Sequence, residues 1–209
     1  IGFDHHSPSN IEHVIDWSLS YKTDFHQFML YTPVPGTPLY EQEAKKNNLK
    51  MEVSYADTHG QLKFNFHHPL IPENEETTYL ERAFLRDFRA NGPSLCRIVM
   101  TNFKGWMNLK NYSNFRVRRR MKFEAKDLRF IGPAILWVSL KWSHFGNSDE
   151  INHCLKGIYK EFGWKTRIVA PILGCFFYIM MLFESRRLKK GWTYEPNTII
   201  EWNEAWKKT

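Results

Sequence analysis

The sequence predicts an α/β fold over residues 1–70 followed by a mainly helical region over residues 71–209. Three observations carry this. "IGFD" at Ile1 ends like a strand, "SPSNIEHVIDWSLSYK" reads as a helix, and "DFHQFML" reads as a buried strand, the order of a parallel βα unit. Residues 62–66 alternate, with Leu62, Phe64 and Phe66 apolar and Lys63 and Asn65 polar, as in a half-buried strand. From Asn74 onward the apolar residues fall at helical spacing.

Taken in order, the first helix has Ser7 as its expected cap and Pro8 at its first position. Ile11, Val14, Ile15 and Leu19 lie on one of its faces. A short apolar strand is expected over Phe25 to Tyr31. "YTPVPGTPLY" follows, a nearly uncharged collar of Pro33, Pro35, Gly36 and Pro38. Proline fixes φ and removes a donor, so this loop has few ways to collapse. "PLYEQEAKKNN" then gives a short amphipathic helix ending near Asn47 and Asn48, and "DTHG" at 57–60 is a turn between two extended runs. Beyond Pro69 and Pro72, Tyr79, Leu80, Ala83, Phe84 and Phe88 form a stripe, and "NGP" at 91–93 stops that helix. Glu73, Glu75, Glu76, Glu81 and Asp87 fit the helix start and its solvated face. Further helices are expected over 94–107, 113–127, 133–145, 148–162 and 168–190.

The chain has 209 residues, 43% hydrophobic and 16% aromatic, enough for a sizeable core. Its net charge of +7 suits anionic partners without choosing among them. Cys96, Cys154 and Cys175 are too far apart for a zinc motif or a disulfide framework, which points to a reducing, cytoplasmic setting. The opening at Ile1, without a Met or a leader, is expected of a piece of a longer protein.

The ordered trio "IGFD", "YTPVPGTPLY" and "DTHGQLKFNFHHPLI" resembles the closing units of a radical S-adenosylmethionine (radical SAM) domain, in the subgroup that carries a cobalamin-binding domain. The resemblance is clearest over residues 1–70. It implies the C-terminal portion of a (βα) barrel and an enzyme that uses a [4Fe–4S] cluster and S-adenosylmethionine for radical chemistry, with cobalamin-dependent methyl transfer as one outcome. It also implies that the cluster's CxxxCxxC loop lies upstream, so that this chain alone is inactive and acts with the rest of the same protein. By the same resemblance Ile1 and Gly2 lie near the nucleoside, and Tyr31, Thr32 and Pro33 near the adenine. His5 and Asp4 follow the first strand at the end where ligands sit, and are candidate substrate or cofactor contacts. The substrate expected is a small molecule or a lipid.

An alternative reading is a non-catalytic basic module that binds RNA or an anionic membrane surface. "NFRVRRRMKF" gathers Arg116, Arg118, Arg119, Arg120 and Lys122. Such a run is more often a solvated helix face, and no recognition motif accompanies it, so nucleic acid is not the expected partner. Ile168 to Phe183 is an uncharged run of 16 residues, about 24 Å as a helix, short of the roughly 30 Å hydrocarbon core. A buried helix is the first reading and a membrane-surface contact the second. The pairs His5–His6 and His67–His68 are expected on loops or the surface, since neighbours on a strand point to opposite faces.

Overall fold

The computed structural model describes residues 1–54, 60, 63–142 and 145–192. The described residues are 64% helix, with no strand and no sheet, so the expected α/β barrel portion is overturned. The helices are α1 (Ile11–Ser20), α2 (Pro38–Lys45), α3 (Glu76–Asn91), α4 (Ser94–Leu109), α5 (Phe115–Arg129), α6 (Ile131–Trp142), α7 (Ser148–Phe162) and α8 (Trp164–Lys189).

The physical reason for the correction lies in the backbone bonds around residues 25–33. The segment is extended and half-buried with a period of two: Phe28 and Leu30 face inward, Phe25 and Met29 outward. The Ile1 ammonium donates to Met29 O at 2.9 Å, and Tyr31 N–H donates to Ile1 O at 2.7 Å. That is the register of parallel pairing, but at one position only, and a strand needs a ladder of such positions. On the other side Leu30 N–H donates to Gly60 O at 2.7 Å. The second expected strand pair is reduced to one antiparallel bridge between Leu49 and Phe66. Most of the "DTHG" turn and Leu62 lie outside the described residues.

Helix ends differ in detail. The α1 helix starts at Ile11, after a turn in which Ser7 O accepts from the N–H groups of Asn10 and Ile11 and Asn10 Oδ1 accepts from Ser7 N–H at 2.9 Å. Ser7 therefore braces the turn and is not the cap. Thr37 does cap α2, with Tyr40 N–H donating to Thr37 Oγ1 at 3.3 Å and Pro38 at the first position.

Two cores organise the packing. The first joins Ile11, Ile15 and Leu19 of α1 to Phe28, Leu30, Phe64 and Phe66, and to Tyr79, Leu80 and Ala83 of α3. Ile11 and Ile15 are 0% and 1% exposed, and burying each contributes roughly 1.5–3 kcal/mol. The second core belongs to α4–α7, around Cys96, Val99, Leu128, Leu136, Ile151 and Ile158. Between them sits an ionic joint. Arg97 donates to both carboxylate oxygens of Asp87, at 2.8 and 2.6 Å, and Asn91 Nδ2 donates to Oδ1 at 3.0 Å. His26 Nδ1 lies 3.0 Å from the same oxygen, which ties the extended segment to α3 and α4. Asp87 is 4% exposed and Glu76 2%, so neither lies on the solvated face expected for it.

The α8 helix packs one side on α6. A Cβ at Gly174 would lie 2.6 Å from Trp137 Cε3, and Trp142 stacks on Tyr178 at 4.2 Å. Only Thr166, Ala170 and Gly174 of α8 are buried, so the expected buried helix is instead a largely exposed one.

Candidate functional site

The segments around Phe3 and Tyr31 meet at one surface. Phe3 and Tyr31 have ring centroids 4.9 Å apart, and His5 lies parallel to Phe3 at 6.0 Å. Phe3 is 49% exposed, so these rings form an open aromatic rim. The backbone beneath is held from both sides. His6 Nδ1 accepts from the N–H groups of Gly2 and Phe3 at 3.1 and 3.3 Å, while His68 Nε2 lies 3.1 Å from Phe3 O. The N–H groups of Leu70 and Ile71 donate to His68 Nδ1, which leaves Nε2 to carry the proton toward Phe3. Burial pushes the His6 imidazole down to about 4, and the Ile1 ammonium, His5 and His68 act in the same direction. His6 is therefore a neutral structural acceptor at physiological pH.

The proline loop is fixed just as firmly. Thr37 N–H donates to Val34 O at 3.1 Å, and Gly36 has φ of 83°, so Val34-Pro35-Gly36-Thr37 is a type II-like turn with proline and glycine where such a turn places them. No atom lies within 4 Å of a Cβ built at Gly36, so conformation alone calls for this glycine. Pro33 is buried, and Asn65 Nδ2 donates to its carbonyl at 2.7 Å. Asn65 was expected outward. It is 5% exposed, and its Oδ1 has no hydrogen-bond partner.

The predicted site residues thus fall into two groups. Asp4 and His5 are exposed, and Ile1, Tyr31 and Thr32 are half-buried beside them. Gly2 and Pro33 are buried. Gly2 has φ of 98°, and a Cβ there would lie 2.4 Å from Phe64 Cε1, so it serves the packing beneath the rim. Sequence reasoning missed His6, Asn65 and His68 as the residues that position the rim. The signal available was Asn65's place between Phe64 and Phe66; His6, between His5 and Ser7, and His68, between His67 and Pro69, carried none.

No family model matches this chain, and no curated protein or solved structure does.

The cysteines do not fit an iron–sulfur cluster. Cys96 and Cys154 are buried in the second core, where burial raises both thiols, Cys154 to about 11, and Cys175 is exposed on α8. No group of three His, Cys, Asp or Glu side chains among the described residues is arranged to hold a metal.

A second surface lies on α5, where Phe115, Arg119, Lys122, Phe123 and Lys126 line a shallow groove of about 550 Å³. Part of the basic run is engaged within the chain. Arg118 donates to the carbonyls of Tyr112 and Ser113, and Arg120 pairs with Glu124 at 2.8 Å.

Proposed function

We propose that residues 1–6, 31–33 and 64–68 form one wall of an adenosyl-cofactor site in a radical SAM-type enzyme, with the helical region as the body behind it. The observation that carries the reading is the meeting of the two motifs. Tyr31 N–H donates to Ile1 O at 2.7 Å, and Phe3 packs against Tyr31 at 4.9 Å.

The chemistry of this surface suits a planar, polar-edged ligand. Exposed aromatic faces stack on a base, worth about 1–3 kcal/mol per base in other systems. The turn at Val34–Thr37 and the buried Pro33 hold the loop in place before a ligand arrives, which lowers the ordering cost of binding. The chain's own contribution is binding and orientation. The cysteines here do not fit a cluster, so on this reading the [4Fe–4S] ligands, and any cobalamin site, would have to be supplied by other residues.

Photolabelling with an azido-adenine analogue of S-adenosylmethionine tests the reading on the full-length enzyme. Label on the peptides that hold Phe3 or Tyr31–Pro33, competed away by S-adenosylmethionine, is expected. Label confined to other peptides would sink it.

A further inference from the structure

We propose that α8 lies in the plane of an anionic lipid surface and docks through the face that carries Trp164, Ile168, Ile172, Phe176, Ile179 and Phe183. This proposal does not depend on the adenosyl-site reading.

These six residues recur at intervals of three and four, which places them on one side of the helix. Each of the six is between 50% and 68% exposed. The 26-residue helix is long and apolar enough to cross a membrane, yet among its residues only Thr166, Ala170 and Gly174 are buried. Single exposed apolar residues need no explanation, but a continuous apolar helix face marks a surface made to be covered.

The far side of α8 decides between lying on a membrane and crossing it. Thr166, Ala170 and Gly174 are buried there, and Trp137 and Trp142 of α6 pack along that side. The α6 helix in turn packs on α4, α5 and α7. Along Thr166–Gly174 lipid can therefore reach α8 from the outer side only, which suits an in-plane helix.

The charges choose the occupant. Lys165 flanks the apolar face at its start, and Arg186 and Lys189 flank it at its end, all exposed. No Asp or Glu occurs between Trp164 and Phe183. In a pair of such faces, the basic ends of one copy would meet basic ends of the other in an antiparallel or a parallel arrangement, which disfavours self-association. An anionic headgroup layer complements the same ends and attracts basic residues held near it. Trp164 adds an aromatic at the interface level.

Cosedimentation with vesicles tests this. The probes are vesicles of phosphatidylcholine alone and of equal parts phosphatidylcholine and phosphatidylglycerol. The full chain is expected to bind the mixed vesicles more tightly, and less so as salt rises. The double variant Ile172→Glu/Phe176→Glu is expected to weaken binding by at least about tenfold. Arg186→Glu/Lys189→Glu should remove the preference for anionic vesicles. Trp17→Glu, at an exposed apolar residue of α1, should change nothing. Cys175 lies within the same face and is exposed, so a polarity-sensitive fluorophore placed there should shift to the blue when the mixed vesicles are added. That readout needs no substitution in the face. Absence of vesicle binding, binding equal in the Ile172→Glu/Phe176→Glu variant, or no fluorescence shift would each overturn the proposal. So would a stable dimer in lipid-free solution that this variant dissociates, because a second copy would then own the face.

Discussion

Arg97 forks onto Asp87, with both carboxylate oxygens bonded at 2.8 and 2.6 Å and both side chains 6% exposed. Burial alone would raise the Asp87 carboxyl. The hydrogen bonds from Arg97 and Asn91 and the nearby charges of Arg97 and His26 outweigh it and hold the carboxyl below its usual range. Breaking a buried pair from one side leaves an uncompensated charge, at a cost of about 3–5 kcal/mol. Arg97→Ala is expected to lose that much in a denaturant titration. Arg97→Lys should lose a substantial part of it, because an ammonium cannot bond both oxygens in fork geometry. A loss below about 1 kcal/mol for Arg97→Ala would show that the joint is not structural.

The depressed Asp87 carboxyl also sets a direction in acid. Its stabilisation is complete above the unfolded carboxyl value of 3.8 and is lost as pH falls through the lower folded value. Asp87→Asn should abolish that acid-side loss, at the expense of stability at neutral pH. Thermal midpoints measured across the acid range would check both halves of the expectation.

His6 acts in a different window. The unfolded chain protonates it near 6.5, the native chain only near about 4. Between these values the unfolded state holds more protons, so stability falls as pH drops from 6.5 toward 4 and is independent of this group above 6.5. His6→Gln should flatten the slope in that window. An unchanged slope would mean that His6 protonates without disturbing the Gly2 and Phe3 amides.

At Gly2 two costs coincide, a φ of 98° and a Cβ 2.4 Å from the Phe64 ring. Gly2→Ala is expected to destabilise the first core by roughly 1–3 kcal/mol. Pairing it with Phe64→Leu should recover part of the loss by making room, while the φ cost stays. Denaturant midpoints of the two single variants and the double variant would measure the coupling.

The thiols offer a direct check of the second core. Cys96 is 0% exposed and Cys154 9%, and burial raises both, whereas Cys175 is exposed. A thiol reagent should modify one cysteine quickly in the native chain and all three in denaturant. Rapid native modification of Cys154 would contradict the packing of α7.

Much of the helical region was legible because its apolar residues recur at helical spacing. The stop at Gly92–Pro93 and the helices after it fall within a few residues of their expected bounds. The charged interior was not legible. Glu76 and Asp87 were read as solvated because they are acidic, although they sit at the same helical spacing as buried Leu80 and Ala83. The missing information was the partner, since Arg97 lies on the next helix and only the Gly92–Pro93 turn brings it alongside. The extended segment around Phe28 was legible as extended but not as unladdered, because strand formation depends on neighbours that local sequence does not reveal. At the candidate site, the sequence singled out the rim residues Tyr31 and His5. Of the side chains that fix the rim, Asn65 and His68 bond to Pro33 and Phe3 across long stretches of chain, which local sequence does not reveal, whereas His6 bonds the nearby Gly2 and Phe3 amides.

The close fit of Gly174 beneath Trp137 makes the spacing of the α7–α8 junction intolerant of length change. That seat locks the rotation of α8 about its own axis, and Gly163 is the one residue between Phe162 and Trp164. Inserting one residue between Trp164 and Gly174 would turn everything on one side of it by about 100° relative to the other. Either Gly174 would leave Trp137 or the outward face would be split between two directions. Length variation should therefore be absent from this ten-residue interval.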